Sequence, residues 1–218
     1  MKLLKLHFYY SFSNKTIVLL SVSSILIIFS FIFAIDKVYL LPLEQAIINY
    51  CTESKYLFKL VYYFIVIYIY TESFSFANIN NYYLCNNISR SKYYYTKIIM
   101  LVSVLIIYTL ILLTGFILIG YIFIKNFYMN KMLLDIFFKS FCVSIFYGMI
   151  GICLNMLIKN RYIVILVFII SVFSIVIETE SYYKIIPNGC WSLMYLLGIN
   201  IFFVITNYLI FKIIDLNE

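Results

Sequence analysis

Long apolar runs separated by short polar turns organise this chain. Six runs stand out, at about residues 16–35, 57–77, 98–124, 132–158, 162–177 and 191–214. Most are as long as the roughly 20 residues that a helix needs to cross a bilayer, while the fifth, at 16 residues, reaches only about 24 Å at helical rise. Polar positions gather between the runs instead of repeating along a helical face. That pattern predicts helices apolar all round and set in lipid, not amphipathic helices around a water-facing shell. The expected fold is an all-α integral membrane domain of six spans occupying residues 1–218, with no length left for a separate catalytic domain.

Composition agrees. The chain is 65% hydrophobic and 11% charged, against about 25% charged residues in soluble domains. The net charge of +7 would suggest nucleic-acid binding in a soluble protein. Here the lysines and arginines flank apolar runs, where they set orientation and meet anionic headgroups, so nucleic acid is not the expected partner. Residues 1–15 carry Lys2, Lys5 and Lys15 among Leu and aromatic side chains, the pattern of a helix lying in the membrane interface. With both termini inside, the inner set is Lys2, Lys5, Lys15, Arg90, Lys92, Lys97, Lys159, Arg161 and Lys212, nine against the seven outer residues Lys37, Lys55, Lys59, Lys125, Lys131, Lys139 and Lys184. Both arginines then lie inside, and Pro42 and Pro187 fall in outer loops.

The motifs of catalysis are missing. No glycine precedes a lysine, so there is no phosphate-cradling P-loop. The single histidine, His7, cannot build a metal site, and no Gly-x-Ser-x-Gly or His-Glu-x-x-His occurs. The expectation is a non-enzyme without cofactor or metal. Five cysteines without paired spacing give no disulfide framework; Cys85, Cys142 and Cys153 read as small apolar residues, while Cys51 and Cys190 fall in segments expected outside, where a bridge is open to them. Asp135 and Lys139, four apart, are expected to pair on one helix face. Ser140, Ser144 and Gly148 form a small-residue stripe suited to close helix approach within the subunit.

The most informative stretch is Glu72 to Lys97. An acid ends one apolar run; a helix-compatible segment follows with Ile79, Tyr82, Tyr83 and Ile88 roughly on one side; then come Ser89-Arg90 and, seven residues after the arginine, Lys97. An exposed aromatic ridge of this kind suits a groove on a soluble partner. This constellation resembles the cytoplasmic hairpin of type-two, ABCG-like ABC exporter permeases. Where that family often has Arg/Lys-x-Gly-Thr after the acid, this chain has Ser73 to Ala77, the mark of a divergent branch. The resemblance implies ATPase-coupling roles for Glu72, Ile79, Tyr82, Tyr83, Ile88, Arg90 and Lys97, with Glu72 turned toward Arg90 or Lys97. It implies cytoplasmic ABC ATPase subunits that bind ATP and Mg, a second permease subunit in a homo- or heterodimer, and a bacterial plasma membrane with both termini cytoplasmic. Small permeases of this size are similar to those of bacteriocin or lantibiotic export and self-immunity. Two other expectations stay open: an immunity or substrate-capturing protein that sequesters a peptide without ATP, and a structural assembly factor.

Overall fold

The computed structural model describes residues 14–36, 41–74, 89–124, 126–128, 131–158, 160, 162–179 and 192–213. These form six helices: α1 (Asn14–Asp36), α2 (Leu43–Ser73), α3 (Arg90–Phe123), α4 (Lys131–Ile158), α5 (Ile163–Thr179) and α6 (Leu193–Ile213). There is no strand among the described residues. The expected interfacial helix at the N-terminus falls almost wholly on residues outside the described ones.

Four helices begin and end within a few residues of the apolar runs, because a helix satisfies its own backbone hydrogen bonds where lipid offers none. The exceptions have local causes. The segment 36–56, read as a mixed-charge loop, is helical from Leu43. Pro42 ends the preceding chain, its carbonyl accepting from Ala46 N at 2.8 Å, and Glu44 in the first turn complements the helix dipole. Cys51, expected in an outer loop, is consequently a buried free thiol in α2. Lys59, expected near the outer end of a span, is 1% exposed in the middle of a 31-residue helix. α3 likewise starts at Arg90, two turns before the apolar run, with Tyr93 N bonded to Ser89 O at 3.0 Å.

Four helices, α1, α3, α4 and α6, are long and apolar enough to cross a membrane. α2 carries Glu44, Glu53, Lys55, Lys59 and Glu72, and α5 has only 17 residues. The outward faces of the bundle are apolar, with Val18, Val22 and Phe33 on α1, Leu118 and Ile122 on α3, and Phe202 and Ile213 on α6 all exposed. An apolar surface this extensive is that of a protein embedded in lipid.

α4 is the centre. Of its apolar stretch 67% is buried, against 28%, 33% and 17% in α1, α3 and α6. It packs chiefly on α2 and α6, with α5 lying against both α2 and α4, while α1 leans on α2 and α3. The small-residue stripe does what close packing requires: a methyl on Gly148 would come within 2.8 Å of the Tyr70 ring, and one on Gly151 would meet Thr71 Oγ1. α6 is joined to α4 by two amides. Asn200 Nδ2 donates to Cys142 O at 2.9 Å and Asn207 Nδ2 to Met149 O at 2.8 Å. Donors and acceptors are each seven residues apart, so the pair fixes both the depth and the rotation of α6.

Successive helices alternate in direction. Phe58 meets Phe31 and Phe137, Tyr62 meets Tyr108, and Phe74 meets Tyr94 and Phe211. The start of α1 and the end of α6 therefore share one end of the bundle with the α2–α3 and α4–α5 connections. In the α4–α5 turn, Tyr162 N donates to Asn160 Oδ1 at 3.0 Å, and the short return is as expected. The α3–α4 turn places Asn126 at φ 61°, a left-handed conformation that asparagine tolerates, and Gly120 leaves room for the Phe127 ring.

The packing at α4 makes a paired prediction. Gly148→Ala should destabilise the protein by about 1–3 kcal/mol because Tyr70 must be displaced, whereas Gly198→Ala, with nothing within 4 Å, should be neutral or slightly stabilising. Thermal unfolding in detergent measures both, and equal shifts for the two variants would contradict the packing described.

Candidate functional site at the basic end of the bundle

The two ends of the bundle differ in charge. Asp36, Glu44, Glu53, Asp135, Lys55, Lys59, Lys131 and Lys139 lie toward the end holding the start of α2 and of α4, where Lys139 Nζ pairs with Asp135 Oδ2 at 2.8 Å, as the spacing predicts, and the sequence adds Lys37, Lys125 and Lys184 to that side. The opposite end holds Lys92, Lys97 and Lys212 with Glu72, and the sequence adds Arg90, Lys159 and Arg161 to the same connections.

At this basic end the last turn of α2 and the first turns of α3 are held together by side chains from four helices. Lys97 is 7% exposed. Its ammonium donates to Tyr93 Oη at 3.2 Å and lies 5.4 Å and 5.8 Å from the ring centroids of Tyr93 and Phe74. Aromatic faces attract a cation most strongly where water is excluded, so the lysine bridges the end of α2 to the start of α3. Glu72, one turn away, is exposed on α2; the lysine instead points into the bundle.

Around this bridge lies an aromatic cluster. Tyr93 stacks on Phe211 at 6.0 Å, Tyr94 meets Phe74 at 5.6 Å and Tyr208 at 5.6 Å, and Tyr94 Oη donates to Val204 O at 2.9 Å. The Ser91 and Tyr208 hydroxyls are 2.7 Å apart. From α4, Asn155 Nδ2 reaches Thr71 O at 3.0 Å and Phe74 O at 3.3 Å. These are terminal carbonyls of α2 that the helix itself cannot satisfy, so Asn155 caps α2 from a neighbouring helix.

Of the residues singled out from the sequence, Glu72 and Lys97 are on this end and Arg90 opens α3. Ile79, Tyr82, Tyr83 and Ile88 lie outside the described residues. Sequence reasoning missed Phe74, Tyr93, Tyr94 and Asn155. Asn155 had a signal, a polar amide inside the apolar run Ile152–Ile158; Phe74 and the two tyrosines had none, because aromatics occur throughout the chain. Among the described residues, the clefts between Phe31, Cys51 and Phe137 and between Leu20, Tyr70 and Tyr108 each hold about 10 Å³, the room of a single water.

Replacing Asn155 by Leu should cost about 1–2 kcal/mol through the two lost bonds to α2, while Ser89→Ala should be silent because that side chain makes no capping bond. Denaturation in detergent distinguishes them; a neutral Asn155→Leu would remove the cap assignment. Compared with known proteins, the chain matches no family model, and no curated protein aligns with it significantly.

Proposed function

We propose that this chain is the permease subunit of an ATP-driven exporter, crossing the membrane six times, with α2 and the short α5 as the two spans that complete the set. Its basic end faces the cytoplasm of a bacterial cell, and residues 79–88 form the lever on which a soluble ABC ATPase acts. The ATPase binds ATP and Mg; this chain supplies the path and performs no chemistry. The observation that carries the reading is the acid, Ser-Arg and lysine constellation between α2 and α3. Its support from the fold is mechanical: the lever's two flanks are braced to each other by Lys97 and Phe74, to α4 by Asn155 and to α6 by Tyr94. A push on such a hairpin is passed to four helices rather than absorbed in a loose joint.

The path lies between two subunits rather than through a single chain. A hydrophobic or amphipathic peptide suits a wall lined by aromatic and aliphatic side chains, and both export of such a peptide and self-protection against it use the same path. The partner across that path is a second permease subunit, either a copy of this chain or a sister.

A charge reversal at the lever tests the reading. Arg90→Glu should abolish co-purification of the ATPase and ATP-dependent transport, while leaving the amount of chain inserted in the membrane unchanged. Unchanged co-purification and transport would refute the assignment of this end as the ATPase dock.

A further inference from the structure

At the basic end, the seam between α3 and α6 changes character along its length in a fixed order. Nearest the end of the bundle are two exposed lysines, Lys92 in the first turn of α3 and Lys212 in the last turn of α6. Next come tyrosine rings and hydroxyls. Tyr208 Oη lies 2.7 Å from Ser91 Oγ, and the half-exposed Tyr95 ring is 5.0 Å from that of Tyr208. Beyond them Ile99 on α3 and Ile205 and Phe202 on α6 are exposed. The spacing is helical, so Lys92, Tyr95 and Ile99 share one face of α3, and Lys212, Tyr208 and Ile205 share one face of α6.

Neither helix of this seam carries an acid: none occurs from residue 89 to 124 or from 192 to 213. Glu72, at the same end, belongs to α2. The first turn of α3 therefore sets Arg90 and Lys92 at the positive end of the helix's own dipole, with no side-chain cap and no acid to offset them. That arrangement is unfavourable unless an anion stands close by. At the other end of the bundle both signs of charge mix and Lys139 is paired with Asp135, so an anion there would meet carboxylates. We propose that the α3–α6 seam seats an anionic phospholipid. Its phosphate lies between Lys92 and Lys212, its glycerol esters accept from the tyrosine hydroxyls, and an acyl chain runs over Ile99, Ile205 and Phe202. A free phosphate would engage the lysines alone and make no use of the aromatic and aliphatic steps beyond them. The seat requires only that the bundle stand in a bilayer, and it holds with or without an ATPase partner.

Thermal unfolding of the full chain in an uncharged detergent, titrated with phosphatidylglycerol or phosphatidylcholine, tests the seat. Phosphatidylglycerol in about tenfold excess over its Kd should raise Tm by about 2–4 °C more than phosphatidylcholine does. Lys92→Gln and Lys212→Gln should each raise the lipid concentration at half effect about fivefold, and together roughly 25-fold. The charge-preserving pair Lys92→Arg and Lys212→Arg should leave it within about twofold. Lys55→Gln with Lys139→Gln removes the same charge from the opposite end and should also leave it within about twofold. No preference for phosphatidylglycerol, an equal weakening by the Lys55 and Lys139 changes, or the same rise in Tm from inorganic phosphate alone would each overturn the proposal.

Discussion

A polar atom inside a lipid-embedded bundle has to find its partner within the bundle, and that constraint shapes this protein more than any other. Leaving an amide or hydroxyl unpaired in an apolar interior costs more than forming the bond gains. Asn155, Asn200 and Asn207 therefore reach backbone carbonyls of neighbouring helices, and many serines and threonines turn back onto their own helices, although Tyr70 Oη, Thr71 Oγ1 and Ser140 Oγ are buried without such a bond. Apolar packing alone, between side chains as oily as the surrounding lipid, specifies little about register. The three amides supply that specificity. They tie α4 to the end of α2 and to the length of α6, and make α4 the axis about which the other helices are arranged.

Aromatic rings fill what the amides leave. At the end holding the start of α2, Phe31, Tyr50 and Phe116 interlock, with Tyr50 and Phe116 stacked at 4.3 Å. At the basic end Phe74, Tyr93, Tyr94 and Phe211 do the same around the Lys97 ammonium. Large rigid rings thus pack both ends of the bundle, and Tyr62 stacked on Tyr108 continues them through its middle.

Much of the fold was legible in the residues and some was not, for identifiable reasons. Apolar run length located all six helices, because in lipid the run and the helix have nearly the same limits. It failed at the starts of α2 and α3, where the helices continue through charged residues. A run of apolar residues reports where lipid begins, not where the backbone stops being helical; Pro42-Leu43-Glu44 was the overlooked helix-start signal. The Asp135–Lys139 pair and the α4 stripe followed from spacing alone. The roles of Lys97, Phe74 and Asn155 did not, since they depend on three helices meeting, and no periodicity within one segment encodes such a meeting.

The account rests on the basic end of the bundle facing the cytoplasm. In a cysteine-free background, Ser89→Cys and Ser192→Cys place single thiols at exposed positions on opposite ends of the bundle. A membrane-impermeant maleimide added to intact cells should label the thiol at 192 directly and the thiol at 89 only after the membrane is opened. Labelling of position 89 from outside would contradict the account, because no ATP-hydrolysing partner could then reach the hairpin.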